Sequence, residues 1–580
     1  GGTFEGIDQG NTRISEIGLK ELHGYPYFDA LDACAQTVMA SFNSWNGKKL
    51  HGYKELLTDI LKKDMQFDGF VVGDWNGHGQ VEGCSNAKCA QSFNAGVDMF
   101  MVPENWKDLL RNTIRQVKSG EISKTRLDEA VRNILTVKSR LGLFNGRVPH
   151  EFKENYLGDP QHIALARPAV RESLVLLKNN NKLLPLNPSQ HIGIIGDAAN
   201  KISSQTGGWT ITWQGRENLN SDFINVNSIY EVLEQVVVSS GGTIEFSNNG
   251  KFIREPDVVI GVFGEEPYAE MLGDLKDVSF VATDPKFLPM LEAMNAQNIP
   301  TVSIFLSGRP LVVNRQLNAS DAFIAAWLPG TAVEGISDVI FTNENKINYD
   351  FTGKLSFSWP KSKDQSVLNF TDSIYDPLFP FGYGLSYKSD LQIARIETNQ
   401  SISKLDSLNI FLGAASIPGK EFVVTKVGPE FVLKDDYVSS NSAIKITRFD
   451  YQRQDDAKNI VFADDQSLQA FGVSAESPVN LLSMDSPFYE IVMRVNSLAN
   501  PSLYFSVGCG NNCRGSIKLP TELMTAWSTI NIPLSCLERD GLDKSKIQVR
   551  GLFLSEEAIN FDISSIVIKS GKATGKVISC

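Results

Sequence analysis

The chain has 580 residues, a net charge of −12, and 42% hydrophobic and 21% charged residues. That length is too great for one hydrophobic core and predicts three or four domains, with a composition ordinary for a globular protein. The acidic balance works against phosphate backbones, and no apolar run reaches the roughly 20 residues that span a bilayer, so nucleic acid and a membrane span are not expected.

Residues 1–145 alternate strand and helix patterns. TVMASF (37–42), FDGFVVGDW (67–75) and GVDMFMVP (96–103) are apolar, β-branched runs of the kind buried on both faces of a parallel sheet. Between and after them, YKELLTDILKKDM (53–65) and TRLDEAVRNILTVKSRLGLF (125–144) carry apolar residues at helical steps. Alternation of this kind predicts βα units. A closed (β/α)8 barrel needs eight strands and about 250 residues, so these three strands predict a partial barrel. Its remaining sequence, about 150–250 residues, is expected upstream of Gly1, which is not an initiating methionine.

Residues 146–165 are polar, with Pro149 and Pro160, and read as a linker. Residues 166–387 repeat the α/β pattern. Strands are predicted at 192–196, 257–264, 300–308 and 321–330, and helices at 228–238 and 287–296. The expected architecture is an α/β sandwich with a mostly parallel sheet, whose ligands sit beyond the carboxyl ends of the strands. Residues 388–580 change character. Short alternating runs such as EFVVTKV, FYEIVMRV and DISSIVI are separated by turns, which predicts a β-sandwich.

Seven cysteines include two close pairs in polar loops, Cys84/Cys89 and Cys509/Cys513. They predict disulfides and an oxidising compartment, hence a secreted or periplasmic protein. Neither pair has a nearby His or C-x2-C spacing, which argues against zinc. Cys536 and Cys580 are a candidate third bridge, leaving Cys34 free and buried.

Three features carry chemistry. Asp74 ends a buried strand, where barrel enzymes place catalytic groups; a helix-capping Asp is the plainer reading. The run GEEPYAEMLGD (264–274) puts Glu265, Glu266, Glu270 and Asp274 in the loop after a predicted strand. It suits a sugar or cation site, or a solvated acidic loop, and matches no EF-hand spacing. GGWTITWQG (207–215) holds Trp209 and Trp213 among glycines and threonines, either to stack on sugar rings or to pack in a core.

GFVVGDW, GGWTITWQG, GEEPYAE, SGRPLVV, AAWLPGT and LFPFGYGLSY follow one another in this order. Together, over residues 1–387, they resemble glycoside hydrolase family 3, in its two-domain β-glucosidase and exo-β-glucanase branch. The resemblance implies Asp74 as nucleophile, Glu270 as acid/base, Trp75 and Trp213 as clamps on the sugar beside the scissile bond, and Met101 near the pocket floor. It implies a retaining double displacement at a cleft between domains, with Glu270 raised in pKa as a general acid. It implies a β-glucan or β-gluco-oligosaccharide substrate and no metal or organic cofactor.

The family's lysine–histidine pair, and the Asp and Arg that hold the terminal glucose, are expected upstream of Gly1. Gln9 stands where relatives carry Glu, and Phe42 where a Tyr is usual. The alternatives are a β-xylosidase, a β-N-acetylglucosaminidase or an inactive carbohydrate-binding protein. The last domain resembles the galactose-binding-like domain of some bacterial members. With Trp527 its only Trp, it reads as a buttress or as a sugar-binding module.

Overall fold

The computed structural model describes residues 2–146, 159–398, 407–416, 419–432, 436–451, 455–463, 467–482, 484–497, 501–510, 513–538, 541–573 and 575–580. The chain forms two compact units, Gly1–Glu154 with Phe449–Asp456, and Asn155–Arg448 with Ala457–Cys580.

In the first unit, β1 (Thr37–Met39), β2 (Phe70–Trp75) and β3 (Met99–Met101) form a parallel sheet in that order. Helix α1 (Glu55–Asp64) buries Leu57 and Leu61 beside Phe67, Val71 and Val97. Helices α2 (Ala90–Ala95), α3 (Trp106–Lys118) and α4 (Lys124–Arg140) follow. Ser123 caps α4 by accepting from Arg126 N at 3.1 Å, which satisfies one of the orphan donors of the first turn. The buried Asp98 carboxylate then joins three elements. It accepts from Lys62 of α1 at 2.8 Å, from Arg126 of α4 at 2.8 Å, and from Val71 N of β2 at 2.9 Å. Removing it would leave two largely buried cations with only their longer contacts to Glu129, at 3.5 Å and 3.8 Å, at a cost of up to roughly 3–5 kcal/mol. The three expected strands are all present. Trp106, Leu110 and Ile114 of α3 and Val131 and Leu135 of α4 are exposed apolar residues.

The second unit opens with α5 (Pro160–Ser173). Residues 160–165, read above as the end of a linker, are its first turns, and 147–158 lie outside the described residues. Pro160 marks a helix start here because its missing N–H falls among the orphan donors, while the Asp159 side chain accepts from Gln161 N at 2.7 Å.

The strands are β4 (Val175–Asn179), β5 (His191–Ile195), β6 (Thr243–Phe246), β7 (Val258–Gly264), β8 (Thr301–Leu306) and β9 (Ala322–Trp327). They form one sheet, in the order β4-β9-β8-β7-β5-β6. It is parallel except for β4, which runs antiparallel to β9. β7, β8 and β9 are buried almost throughout, as their unbroken apolar runs require. Helices α6 (Ile229–Ser239), α7 (Phe287–Ala296) and α8 (Glu334–Ile340) pack against the sheet. Phe263 stacks on Phe287 at 4.3 Å, with Phe305 and the fully buried Trp359 beside them. Truncating Trp359 to Ala would cost about 3–5 kcal/mol.

Beyond this layer, the described residues form an eight-stranded and a six-stranded sheet around one core containing Tyr489, Phe505, Phe553 and Phe561. Used below are β10 (Ser407–Leu412), β11 (Lys420–Thr425), β12 (Ile444–Phe449), β13 (Ala457–Phe462), β14 (Ser528–Pro533) and β15 (Lys576–Val577). Trp527 lies beneath the Arg494 guanidinium, 5.3 Å from its ring. Disulfides join Cys84 to Cys89, Cys509 to Cys513 and Cys536 to Cys580. Cys34 is free but exposed, not buried as expected. It occupies a left-handed turn (φ 64°) just past the helix Tyr25–Asp32, which carries it out to solvent.

Candidate active site

Asp74 sits near the carboxyl end of β2, where the ladder to β3 is irregular and brings Trp75 opposite Met101. The chain then turns sharply through Asn76 (φ 54°), whose N–H donates to Met101 O at 2.9 Å. Asn is among the few residues that tolerate this left-handed conformation. Asp74, Trp75 and Met101 are thus brought together. Asn76 Nδ2 also donates to Asp450 at 2.7 Å, in the segment Phe449–Asp456 that groups with this unit.

Two hydrogen bonds fix Asp74. Trp75 N donates to its Oδ1 at 2.7 Å, and its own backbone N–H donates to His51 Nε2 at 2.9 Å. Half-burial raises the Asp74 pKa above the ordinary carboxylate value, against the lowering effect of the Trp75 N–H. His51 is 1% exposed. Burial, then the charges of His78 and Lys49, push its pKa down to about 4 against a backbone hydrogen bond with Ser41. The imidazole is therefore neutral, with Nε2 as acceptor. Gly77 makes room for it, since a Cβ there would lie 2.3 Å from the ring. Sequence reasoning missed His51, because a lone histidine in a turn carries no pattern. Of the two departures, Gln9 is buried and accepts from Gln80 at 2.8 Å, and Phe42 packs 6.0 Å from the His51 ring.

In the second unit, the acidic loop follows β7. Its carboxylates have separate partners. Glu265 accepts from Arg309 at 2.8 Å, and Glu266 from Lys201 at 2.6 Å. Glu270 opens a 3-10 turn at φ 49° and accepts from Trp213 Nε1 at 3.3 Å. Ala269 N donates to Gln214 Oε1 at 2.8 Å, tying the acidic loop to the tryptophan loop. Trp209 N in turn donates to Trp213 O at 2.8 Å, the two indoles lie 6.2 Å apart, and Trp209 is 68% exposed. The Arg448 guanidinium of β12 lies 5.9 Å from the Trp213 ring. Glu270 and Trp213 are thus brought together, with an indole and a carboxylate side by side. Neither the arginine nor the lysine partner in this loop was foreseen, because each comes from a distant segment.

The chain matches the descriptions Glycosyl hydrolase family 3 N terminal domain over residues 1–137, Glycosyl hydrolase family 3 C-terminal domain over 174–387, and Galactose-binding domain-like over 431–568. It is 40% identical to an exo-1,3/1,4-beta-glucanase of known structure from a Pseudoalteromonas species, covering 100% of this chain and 72% of that one, with a TM-score of 0.67. It is 29% identical over 392 residues to a lysosomal beta glucosidase of Dictyostelium discoideum, covering 61% of this chain and 46% of that protein. It is 29% identical over 449 residues to a periplasmic beta-glucosidase of Salmonella typhimurium, covering 67% of this chain and 57% of that protein. The chain therefore spans about half the length of these two relatives.

Proposed function

The chain belongs to glycoside hydrolase family 3, and from that premise we propose that it is the greater part of a retaining exo-β-glucanase or β-glucosidase, releasing glucose from non-reducing ends. The observation that carries this reading is the division of labour in the acidic loop. Glu265 and Glu266 are committed to Arg309 and Lys201, while Glu270 meets the Trp213 indole. A carboxylate beside an indole suits proton transfer to a glycosidic oxygen whose sugar rests on the ring.

In the proposed mechanism, Asp74 attacks the anomeric carbon as Glu270 protonates the departing oxygen. Glu270 then takes a proton from water, which displaces Asp74 and restores the β configuration. The turn at Trp75–Asn76 and the His51 acceptor hold the nucleophile in aim, so that little reorganisation is needed on attack. No residue in this scheme calls for a metal or organic cofactor. We place the first unit as the C-terminal part of a (β/α)8 barrel. A secreted or periplasmic location is supported by the three disulfides and by the relative named as periplasmic.

Product analysis of the full-length protein on laminari- and cello-oligosaccharides tests the reading. Glucose, released initially as the β-anomer, is expected. Release of xylose from xylo-oligosaccharides with no glucose from either series would replace this reading with a β-xylosidase.

Trp213→Ala should raise KM for oligosaccharides roughly tenfold or more and leave aryl glucosides less affected, because stacking on a sugar leaving group is lost only for the former. Equal losses on both would make Trp213 a structural residue.

A further inference from the structure

We infer that Arg216 is a positioning residue through which the β-sandwich sets the acid/base loop. Arg216 lies three residues after Trp213, and its guanidinium points two ways. Nε donates to the carbonyl of Pro267 at 2.9 Å, three residues before Glu270. Nη1 donates to the carbonyl of Ala415 at 3.2 Å, in the turn that follows β10. A planar guanidinium serves both carbonyls with a fixed angle between them, which a lysine ammonium on its flexible stem does not reproduce.

The sandwich end of this connection is itself anchored. Ala415 bridges back to Phe411, and its N–H donates to Glu421 Oε1 at 3.0 Å. Glu421, on β11 of the six-stranded sheet, pairs through Oε2 with Lys458 on β13 of the eight-stranded sheet at 2.6 Å. Those two side chains are only 7% and 5% exposed. A buried, hydrogen-bonded ion pair is costly to disrupt on one side, so the Ala415 turn is a firm point. The connection runs Lys458, Glu421, Ala415, Arg216, Pro267, and ends in the loop that carries Glu270. Burial pulls the Arg216 pKa below the ordinary arginine value, while the charges of Glu266, Glu217 and Glu421 favour its cation. Those carboxylates come from the acidic loop, the tryptophan loop and the sandwich, so the cation sits where the three meet.

The two substrate-facing loops are therefore fixed to each other by Gln214 and to the sandwich by Arg216. This inference rests on Glu270 being the acid/base. Without Arg216, Pro267 loses its donor and Glu270 loses the frame that aims it. Displacement of a general acid by an ångström or so costs rate mainly where the leaving group needs its proton.

The test is Arg216→Met in the full chain, with Arg216→Lys beside it. For Arg216→Met, kcat should fall about a hundredfold on laminaribiose and less than about tenfold on 2,4-dinitrophenyl β-glucoside. Amide hydrogen exchange in residues 265–272 should quicken. Arg216→Lys should recover part of both. If Arg216→Met does not fold, Arg216→Lys compared with wild type on the same two readouts decides. A folded variant with an unchanged substrate ratio and unchanged exchange would overturn the inference, whatever its melting temperature. A wild-type protein that cleaves neither substrate would sink the glycosidase reading, and the exchange readout would still decide the role of Arg216.

Discussion

Glu270→Ala is expected to abolish turnover of cellobiose and laminaribiose while sparing the first step on aryl glucosides with acidic phenols. The missing proton matters in proportion to the basicity of the leaving oxygen, and general acid catalysis is worth about 10²–10⁴-fold. The glucosyl-enzyme should then accumulate, since water has also lost its base. Azide needs no deprotonation, so it should restore turnover and give β-glucosyl azide. Asp74→Ala should lower the rate on every substrate by roughly 10⁴-fold or more, regardless of leaving group, because the covalent route itself is gone. Azide entering the vacated space would give the inverted α-azide. Product stereochemistry, read by NMR, thus reports which group was removed. Rescue to the β-azide in Glu266→Ala or Glu265→Ala, and not in Glu270→Ala, would move the role to that residue. In the wild type, Asp74 must be ionised to attack. Its pKa is raised by burial, so the acidic limb of kcat/KM should lie above the ordinary aspartate value.

His51→Leu is the second large effect. The Asp74 backbone N–H would lose its acceptor, at about 1–3 kcal/mol for a buried donor left unsatisfied. The nucleophile would lose its aim, with kcat lower by roughly a hundredfold and KM little changed. His51→Gln, which keeps an acceptor, should recover part of the rate. Stability carries an independent signature. The folded-state pKa of His51 is about 4, below the ordinary 6.5. A histidine held neutral contributes stability that is fully present above its unfolded value and is lost as pH falls toward the folded one. Between pH 6.5 and 4 the wild type should therefore lose roughly 3 kcal/mol more than the leucine variant. Thermal melts across that range check the difference. Parallel curves for the two proteins would remove His51 from this role.

Much of the architecture was legible because burial on both faces forces unbroken apolar runs. β2, β7, β8 and β9 all coincide with such runs, and the amphipathic spacing of residues 125–144 marked α4. β4 was not read, since a short apolar run abutting a helix has no periodicity to separate it from that helix. β6, a short half-exposed edge strand, gave an equally weak signal. For the site, the ends of strands and the loop carboxylates could be read locally. The residues that discipline them could not. His51, Lys201, Arg309 and Arg216 act through contacts to other segments of the chain, and nothing in the local pattern of any one of them names its partner.

The bridge between Cys536 and Cys580 closes a separation of 44 residues, against 5 and 4 for the other two. Loop-closure entropy makes it the most stabilising of the three, at about 4 kcal/mol. Close to its second cysteine lies β15, a strand only two residues long, paired parallel to β14 through Ile530↔Lys576 and Asn531↔Val577. Two rungs of ladder are too few to hold this segment by themselves. In a reducing cytosol β15 would fray, and β14, with the sequence STINIP, would become a bare sheet edge open to pairing with another molecule. The covalent tie beside β15 would then serve as a safeguard against self-association, and losing it should show as insolubility before it showed as lost chemistry.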